Sequence, residues 1–209
     1  MSLLKNAYVN YIDKFLDDDK LDKYFKIFNE SFDWKYNDYN GSRLNRQTVV
    51  FADDSIIKDK NNIPPIWGDD VKIYPWTNEL LEIKTKTEEK VKELTGIDWK
   101  YNIALGNRYT KGKDFISFHS DREELGSTKS IASISLGIPR TFHYVSNDMT
   151  EKISLKLNNG SLLFMGENCQ ENYKHGMKKE KLVNLADETI LNKYNNTRIN
   201  LTFRVWENK

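Results

Sequence analysis

The 209-residue chain has one cysteine, three histidines and almost no net charge, +1 from 32 basic and 31 acidic side chains. Each scarcity excludes something. Lone Cys169 rules out an internal disulfide framework and fits a reducing, intracellular setting. No apolar run approaches the roughly 20 residues that a membrane helix needs. The longest, around 131–138 and 161–165, have the length of strands. The N-terminus lacks the apolar core of a signal peptide and soon reaches Asp17-Asp18-Asp19. Balanced charge excludes a protein that coats a polyanion with its whole surface, yet it leaves room for a local basic groove. Internal repeats and a domain linker are missing as well.

What the chain does have is enough apolar material for a core. Hydrophobic residues make up 38%, aromatics 12% and charged residues 30%, with a mean hydropathy of −0.72. This is the composition of one folded domain with a very polar surface rather than of a disordered chain. Apolar residues at helical spacing (Leu4, Tyr8, Tyr11, Ile12 and Phe15, then Leu21, Tyr24, Phe25 and Phe28) predict two helices within residues 3–30, parted by the acidic run. Residues 33–70 break into Asn, Asp, Gly and Pro, with a short strand at 46–51 and the clearest loop at Asn61-Asn62-Ile63-Pro64-Pro65. Thr77 and Gly96 bracket a helix over about 78–95 as its N-terminal and C-terminal caps. Beyond Gly96, period-two alternation predicts strands at 101–109, 114–119, 131–137, 140–145, 153–157, 161–165 and 198–206. Residues 176–196, rich in Lys, Glu and Asn, have no period and read as a loop or partial helix. The class is therefore α+β, a β-sandwich or jelly roll backed by helices.

Two of the three histidines fall in a chemically useful pattern. His119-Ser120-Asp121 ends a strand, so residues i and i+2 share a face, and His175 follows the strand at 161–165. Two imidazoles and a carboxylate on one side of a metal leave three coordination positions open, which suits non-haem Fe(II). A closed zinc site needs more ligands than one cysteine can help supply. Spacing alone equally fits histidines that are merely solvated or packed in the core. The C-terminal strand adds weight. In Arg198-Ile-Asn-Leu-Thr-Phe-Arg204, one face is Ile199, Leu201 and Phe203, and the other is Arg198, Asn200, Thr202 and Arg204. Such a polar row is costly to bury without partners. Two arginines about 20 Å apart, each reaching inward, suit a small dicarboxylate held by forked contacts. By pattern alone, a polar strand facing solvent accounts for the row as well.

The order of motifs is more specific. Asn107-Arg-Tyr109, Gly112-x-Asp114-x-Ile116-x-x-His119-Ser-Asp121, Ile131-Ala-Ser-Ile-Ser-Leu-Gly137, Arg140-x-Phe142, Gly160-Ser-Leu-Leu-x-Met165, His175 and Arg198-x-Asn-Leu-Thr-Phe-Arg204 follow one another. Together they resemble the AlkB family of iron(II)- and 2-oxoglutarate-dependent dioxygenases, nearest its nucleic-acid repair branch. The likeness is dense over 96–206 and thinner over 32–95, where Arg46-Gln-Thr-Val-Val-Phe51-Ala-Asp53 and Pro75-Trp76 are similar to the family's nucleotide lid.

The resemblance implies a double-stranded β-helix core over 96–209, a lid and supporting helix over 32–95 and an N-terminal helical extension over 1–31, all within one domain. It implies Fe(II) on His119, Asp121 and His175, and 2-oxoglutarate on Asn107, Tyr109, Arg198, Asn200 and Arg204, with Arg198 at the distal carboxylate and Arg204 near the metal. O2 is the third reactant. The expected activity is oxidative dealkylation of N-alkylated bases in DNA or RNA, releasing formaldehyde, succinate and CO2, by a monomer with no membrane attachment. A base inside a duplex must be extruded to reach such a site. Trp67, Arg46, Phe51, Glu123 and His119 are the expected substrate contacts, with Lys178, Lys179 and Lys181 near the nucleic-acid backbone. Three departures stand out: Arg122 where relatives place a carboxylate, no proline after His175, and a longer 176–197 segment. Arg122 keeps open a second class, a dioxygenase acting on a protein or small molecule. A third class is a non-catalytic nucleic-acid-binding module.

Overall fold

The computed structural model describes residues 2–39, 41–58 and 72–207. In chain order these form β1 (Val9–Ile12), α1 (Leu21–Glu30), β2 (Asp38–Tyr39), β3 (Ser42–Arg43), β4 (Gln47–Ala52), α2 (Asp54–Lys58), β5 (Ile73–Tyr74) and α3 (Asn78–Thr95). There follow β6 (Ile103–Thr110), β7 (Ile116–His119), β8 (Ile131–Gly137), β9 (Arg140–Ser146), β10 (Lys152–Leu157), β11 (Leu162–Met165), α4 (Cys169–Asn172), β12 (Tyr173–Met177), α5 (Glu188–Lys193) and β13 (Thr197–Arg204). The described strands build a seven-stranded major sheet in the order β1-β11-β8-β13-β6-β4-β5, a four-stranded minor sheet β10-β9-β12-β7 and the small hairpin β2-β3. Every pairing in the two large sheets is antiparallel except β4 with β5. This is the expected α+β jelly roll.

The major sheet is buried on both sides, for different reasons. Its outer face carries Val49, Phe51, Ala132, Ile134, Leu136, Ile199, Leu201 and Phe203, which pack under α1 and α3 through Phe25, Phe28, Leu80, Ile83 and Val91. Its inner face looks toward the minor sheet and holds the polar residues of β13 in register with those of its neighbours: Asn200 lies opposite Asn107 on β6 and Ser135 on β8, and Arg198 opposite Tyr109 and Gly137. Phe203 is fully buried and packs against the rings of Trp76 and Tyr101. Phe203→Ala is expected to cost about 3–5 kcal/mol, read as a lower urea midpoint at unchanged slope.

Helix α3 starts and stops as its caps dictate. The Thr77 side chain accepts a hydrogen bond from Leu80 N, and Gly96 takes the left-handed conformation at φ 73° while its N–H bonds to Lys92 O. No helix among the described residues is long and apolar enough to cross a membrane.

Two expectations need correction. Of the two N-terminal helices, only the second forms. The first segment contains strand β1, which pairs with β11 through Val9↔Met165 and Ile12↔Leu162, so it belongs to the major sheet. The silent stretch after 165 hides a strand, β12, which carries His175 between β9 and β7. The 176–196 segment is largely irregular, with a short helix α5 capped by Asp187. The loop expected at Asn61–Pro65, and Trp67, lie outside the described residues.

Candidate metal centre

Strand pairing brings the two histidines together. His119 at the end of β7 stands directly opposite His175 on β12, with ring centroids 4.6 Å apart. Asp121 turns back two residues later, so that His119 Nε2 lies 3.5 Å from one carboxylate oxygen and His175 Nε2 3.8 Å from the other. The donor atoms of all three residues lie within 4.8 Å of one another. The histidine orientations are fixed from behind. His119 Nδ1 is 2.8 Å from Ser117 O, a contact that places the proton on Nδ1 and leaves Nε2 as a lone-pair donor. The His175 ring is stacked on Phe142 at 5.3 Å. Asp121 N donates to Gln170 Oε1 at 2.8 Å, and Ser120 Oγ donates to Tyr173 O at 2.9 Å, so the turn is held on α4 and β12.

Electrostatics put these groups in the forms a metal requires. Burial would raise the Asp121 carboxyl, but the polar contact with His119 and the positive charge of nearby Arg204 outweigh it and hold the group well below the usual carboxylate range. Burial also pushes the His175 imidazole down to about 4, against the pull of Asp121. An ionised carboxylate and a neutral imidazole are the ligating forms of both. With one face of the cluster open to a cavity, the donor set fits a hard or borderline divalent ion that keeps exchangeable positions.

The cavity, of about 430 Å³, joins this cluster to the inner face of the major sheet. Its polar side chains form one chain of hydrogen bonds: Arg46 Nε donates to Asn107 Oδ1 at 2.5 Å, Asn107 Nδ2 to Asn200 Oδ1 at 3.1 Å, and Asn200 Nδ2 to Ser133 Oγ at 2.6 Å. The two arginines of β13 end in different places. Arg204 lies by the triad, 4.0 Å from Asp121, and its Nη2 donates to the carbonyls of Arg122 at 3.0 Å and Gly126 at 2.6 Å. Arg198 is only 2% exposed; its Nη2 donates to Ser135 Oγ at 2.9 Å, its guanidinium lies 5.4 Å from the Tyr109 ring centroid, and its buried Nε has no hydrogen-bond partner among the described residues. Burial pushes the Arg198 guanidinium down to about 10, still charged at neutral pH.

The structure thus gathers His119, Asp121, His175, Asn107, Tyr109, Asn200 and Arg204 around one cavity, with Arg198 stacked behind Tyr109. The expected substrate contacts fare unevenly. Arg46 is buried in the cavity wall rather than on the surface. Phe51 points the other way: it is fully buried on the helix side of β4 among Phe28, Phe32 and Tyr74, and Val50 takes the cavity side because successive strand residues alternate. Glu123 accepts a hydrogen bond from Thr128 N at 2.9 Å and braces its own loop. Pro75 and Trp76 do not line the cavity; Trp76 bonds Asp53 and packs on Phe203. Among the described residues, the β2–β3 hairpin contributes Asp38, Ser42 and Arg43 to the cavity wall. Two contributors had no local signature: Gln170, and Glu180, which pairs at 2.9 Å with the buried Arg140.

The family model of the 2OG-Fe(II) oxygenase superfamily matches residues 8–204. The chain therefore belongs to that superfamily, a class of dioxygenases that works with Fe(II), 2-oxoglutarate and O2. Within it the chain is AlkB-like. It is 33% identical over 141 residues to human alpha-ketoglutarate-dependent dioxygenase alkB homolog 3, covering 62% of this chain and 43% of that protein. It is 29% identical over 130 residues to DNA oxidative demethylase ALKBH2 of Arabidopsis thaliana, covering 51% and 38%. An uncharacterized protein, R406, of Acanthamoeba polyphaga mimivirus is 31% identical over 94 residues, covering 45% and 48%. The chain spans less than half the length of each of these relatives. The solved structure of OsALKBH1 shares the fold, with a TM-score of 0.68 at 19% identity, over 97% of this chain and 100% of that one.

Proposed function

We propose that the chain is an oxidative dealkylase of N-alkylated bases in DNA or RNA, with Fe(II) on His119, Asp121 and His175, and 2-oxoglutarate on Asn107, Tyr109, Arg198, Asn200 and Arg204. The observation that carries this reading is the cavity of about 430 Å³ that joins the triad to Asn107, Tyr109, Asn200 and Arg204 and is walled by the β2–β3 hairpin. That volume falls in the range of roughly 300–1,000 Å³ typical of small-ligand sites. Names of relatives that include a DNA oxidative demethylase support the substrate class.

Bound together, Fe(II), 2-oxoglutarate and O2 supply the oxidation of an N-alkyl carbon, with release of the aldehyde, succinate and CO2. The protein's part is placement. Ser117 and Phe142 hold the imidazoles, and Gln170 holds the Asp121 backbone. Arg204 brings positive charge to the metal end, and Arg198 with Tyr109 and Ser135 brings it to the far end. Arg46 and the hairpin wall the side where a base enters.

The test is a panel of oligonucleotides carrying 1-methyladenine or 3-methylcytosine, single- and double-stranded, DNA and RNA, with Fe(II), ascorbate and 2-oxoglutarate. Formaldehyde release that weakens as salt rises is the expected result. Arg122, exposed at the cavity rim, favours the other reading, a protein or small-molecule substrate. That reading gains if no oligonucleotide is demethylated while a non-nucleic-acid substrate stimulates succinate release without salt dependence.

A further inference from the structure

A second cleft, of about 380 Å³, adjoins the mouth of the main cavity and shares Arg43, Leu44, Asn45 and Phe115 with it. Three cations line it, Arg43, Lys113 and Lys179, and among the described residues none of them forms an ion pair. The acid in its lining, Asp114, is already committed: its carboxylate accepts hydrogen bonds from Tyr36 Oη at 3.2 Å and from Thr110 N at 2.8 Å and Thr110 Oγ1 at 3.1 Å. Two aromatic rings complete the wall, each with a cation beside it: Arg43 lies 5.7 Å from the Tyr36 centroid, and Lys179 lies 4.9 Å from that of Phe115.

The lysines are brought together by a built arrangement rather than by chance exposure. Gly112 adopts φ +66°, and a Cβ there would sit 2.2 Å from the Glu180 carbonyl oxygen, so only glycine lets the β6–β7 turn dock on the segment after β12. Glu180 N donates to Gly112 O at 3.0 Å. The Glu180 carboxylate accepts from Arg140 Nε at 2.9 Å, and Arg140 Nη2 donates to Lys178 O at 2.7 Å. The clamp brings Lys113 and Lys179 into the lining of one cleft and commits the nearby Glu180 charge to a buried arginine.

We propose that this cleft is a track for a single-stranded nucleic acid, in which Arg43, Lys113 and Lys179 hold phosphates and Phe115 stacks the unpaired base next to the one in the main cavity. The inference rests on the nucleic-acid reading of that cavity. Cations beside aromatic rings are the pattern of single-strand grooves, because an unpaired base offers a face that a duplex keeps stacked. Continuity with the cavity mouth gives the strand a path from one site to the other.

The experiment measures fluorescence anisotropy of an unmodified single-stranded oligonucleotide and of its duplex, across a salt series, on the full chain. Lys113→Ser/Lys179→Ser should weaken single-strand binding about tenfold or more, and should reduce the slope of log affinity against log salt by about 1.4, two contacts at roughly 0.7 each. Lys113→Arg/Lys179→Arg should restore both. Phe115→Leu should weaken single-strand binding about tenfold with the salt slope unchanged. Thermal unfolding of each variant identifies any that fail to fold, and the arginine pair carries the test if the serine pair does. Unchanged affinity and slope in the serine pair overturn the track, as does a wild-type chain that binds no single strand or binds duplex equally well. Demethylation in the panel above is read separately. A chain that demethylates but shows no lysine effect loses the track and keeps the function; a chain that binds through these lysines yet demethylates nothing keeps the track and loses the function.

Discussion

His119→Ala is expected to abolish metal-dependent turnover while leaving the fold nearly as stable as before. Its side chain is 35% exposed at the end of β7, so removing it forfeits little packing. What it forfeits is one of three donors within 4.8 Å of each other. Losing several kcal/mol of metal-centred stabilisation, about 4 kcal/mol, corresponds to roughly a 10³-fold lower rate. His175→Ala should show the same loss of rate with a different companion effect. That ring is buried between Phe142 and His119, and its removal leaves a void expected to cost about 2–3 kcal/mol of stability. The pair of variants therefore separates ligation from packing. Formaldehyde and succinate release give the rate, anaerobic Fe(II) titration gives the metal affinity, and urea unfolding gives the stability. Full activity in His119→Ala would remove the triad from the mechanism. A stable His175→Ala with normal metal affinity would do the same for β12.

How much of this was legible before the structure depends on whether a residue's task leaves a local trace. The polar row of β13 does, because alternation is imposed by the pleat: Ile199, Leu201 and Phe203 go to the helices, Asn200, Thr202 and Arg204 go to the cavity, and Arg198 lies on that same face behind Tyr109. His119 and Asp121 do as a short-range pair, although the turn after β7, held by Gln170 and Tyr173, and not a shared strand face, brings Asp121 back to His119. Strand β1 misleads because both its faces are covered. Val9 and Tyr11 pack toward the minor sheet while Tyr8 and Ile12 pack under the helices, so apolar residues fall at both parities and imitate a helical spacing. Strand β12 is silent for another reason. Tyr173-Lys-His-Gly-Met177 is buried everywhere but at Lys174, so it has no alternation to read, its inward histidine is polar and its Gly176 reads as a breaker. The glycine is there because a Cβ would lie 2.9 Å from Ile116 O on the neighbouring strand. Phe51, expected as a substrate contact, faces the helices instead, and its face follows from the register that pairs it with Ala104 rather than from its local sequence. Gln170 and the Arg140–Glu180 clamp act across 49 and 40 residues of sequence, and no short-range pattern reports such contacts.

The second large effect concerns Arg198, and it should run in opposite directions for binding and for stability. Arg198→Met keeps a long, unbranched side chain at a position that is 2% exposed, and removes a charge whose Nε has no hydrogen-bond partner among the described residues. Without a bound dicarboxylate, Ser135 Oγ and the Tyr109 ring hold the guanidinium among the described residues, and the repulsion of Arg140 is set against the attraction of its partner Glu180. A buried charge so poorly compensated costs more than a well-packed apolar chain, so the variant without ligand should be as stable as the wild type or gain about 1–2 kcal/mol. Binding should suffer in the other direction. Two charge-assisted hydrogen bonds to a distal carboxylate, at about 1.5–3 kcal/mol each, amount to a loss of at least about 100-fold in 2-oxoglutarate affinity. Arg204→Met provides the contrast, because Arg204 also holds the carbonyls of Arg122 and Gly126 and stands 4.0 Å from Asp121. Its loss should cost stability and metal affinity together. The measurement is the thermal midpoint with and without 2-oxoglutarate, since a ligand that binds only the folded state raises it in proportion to the logarithm of its occupancy ratio. Arg198→Met should melt at or above the wild-type temperature and show no rise with 2-oxoglutarate. A wild-type rise in that variant would place the distal carboxylate elsewhere, and a sharp fall in its ligand-free midpoint would mean that Arg198 serves the fold and not the ligand.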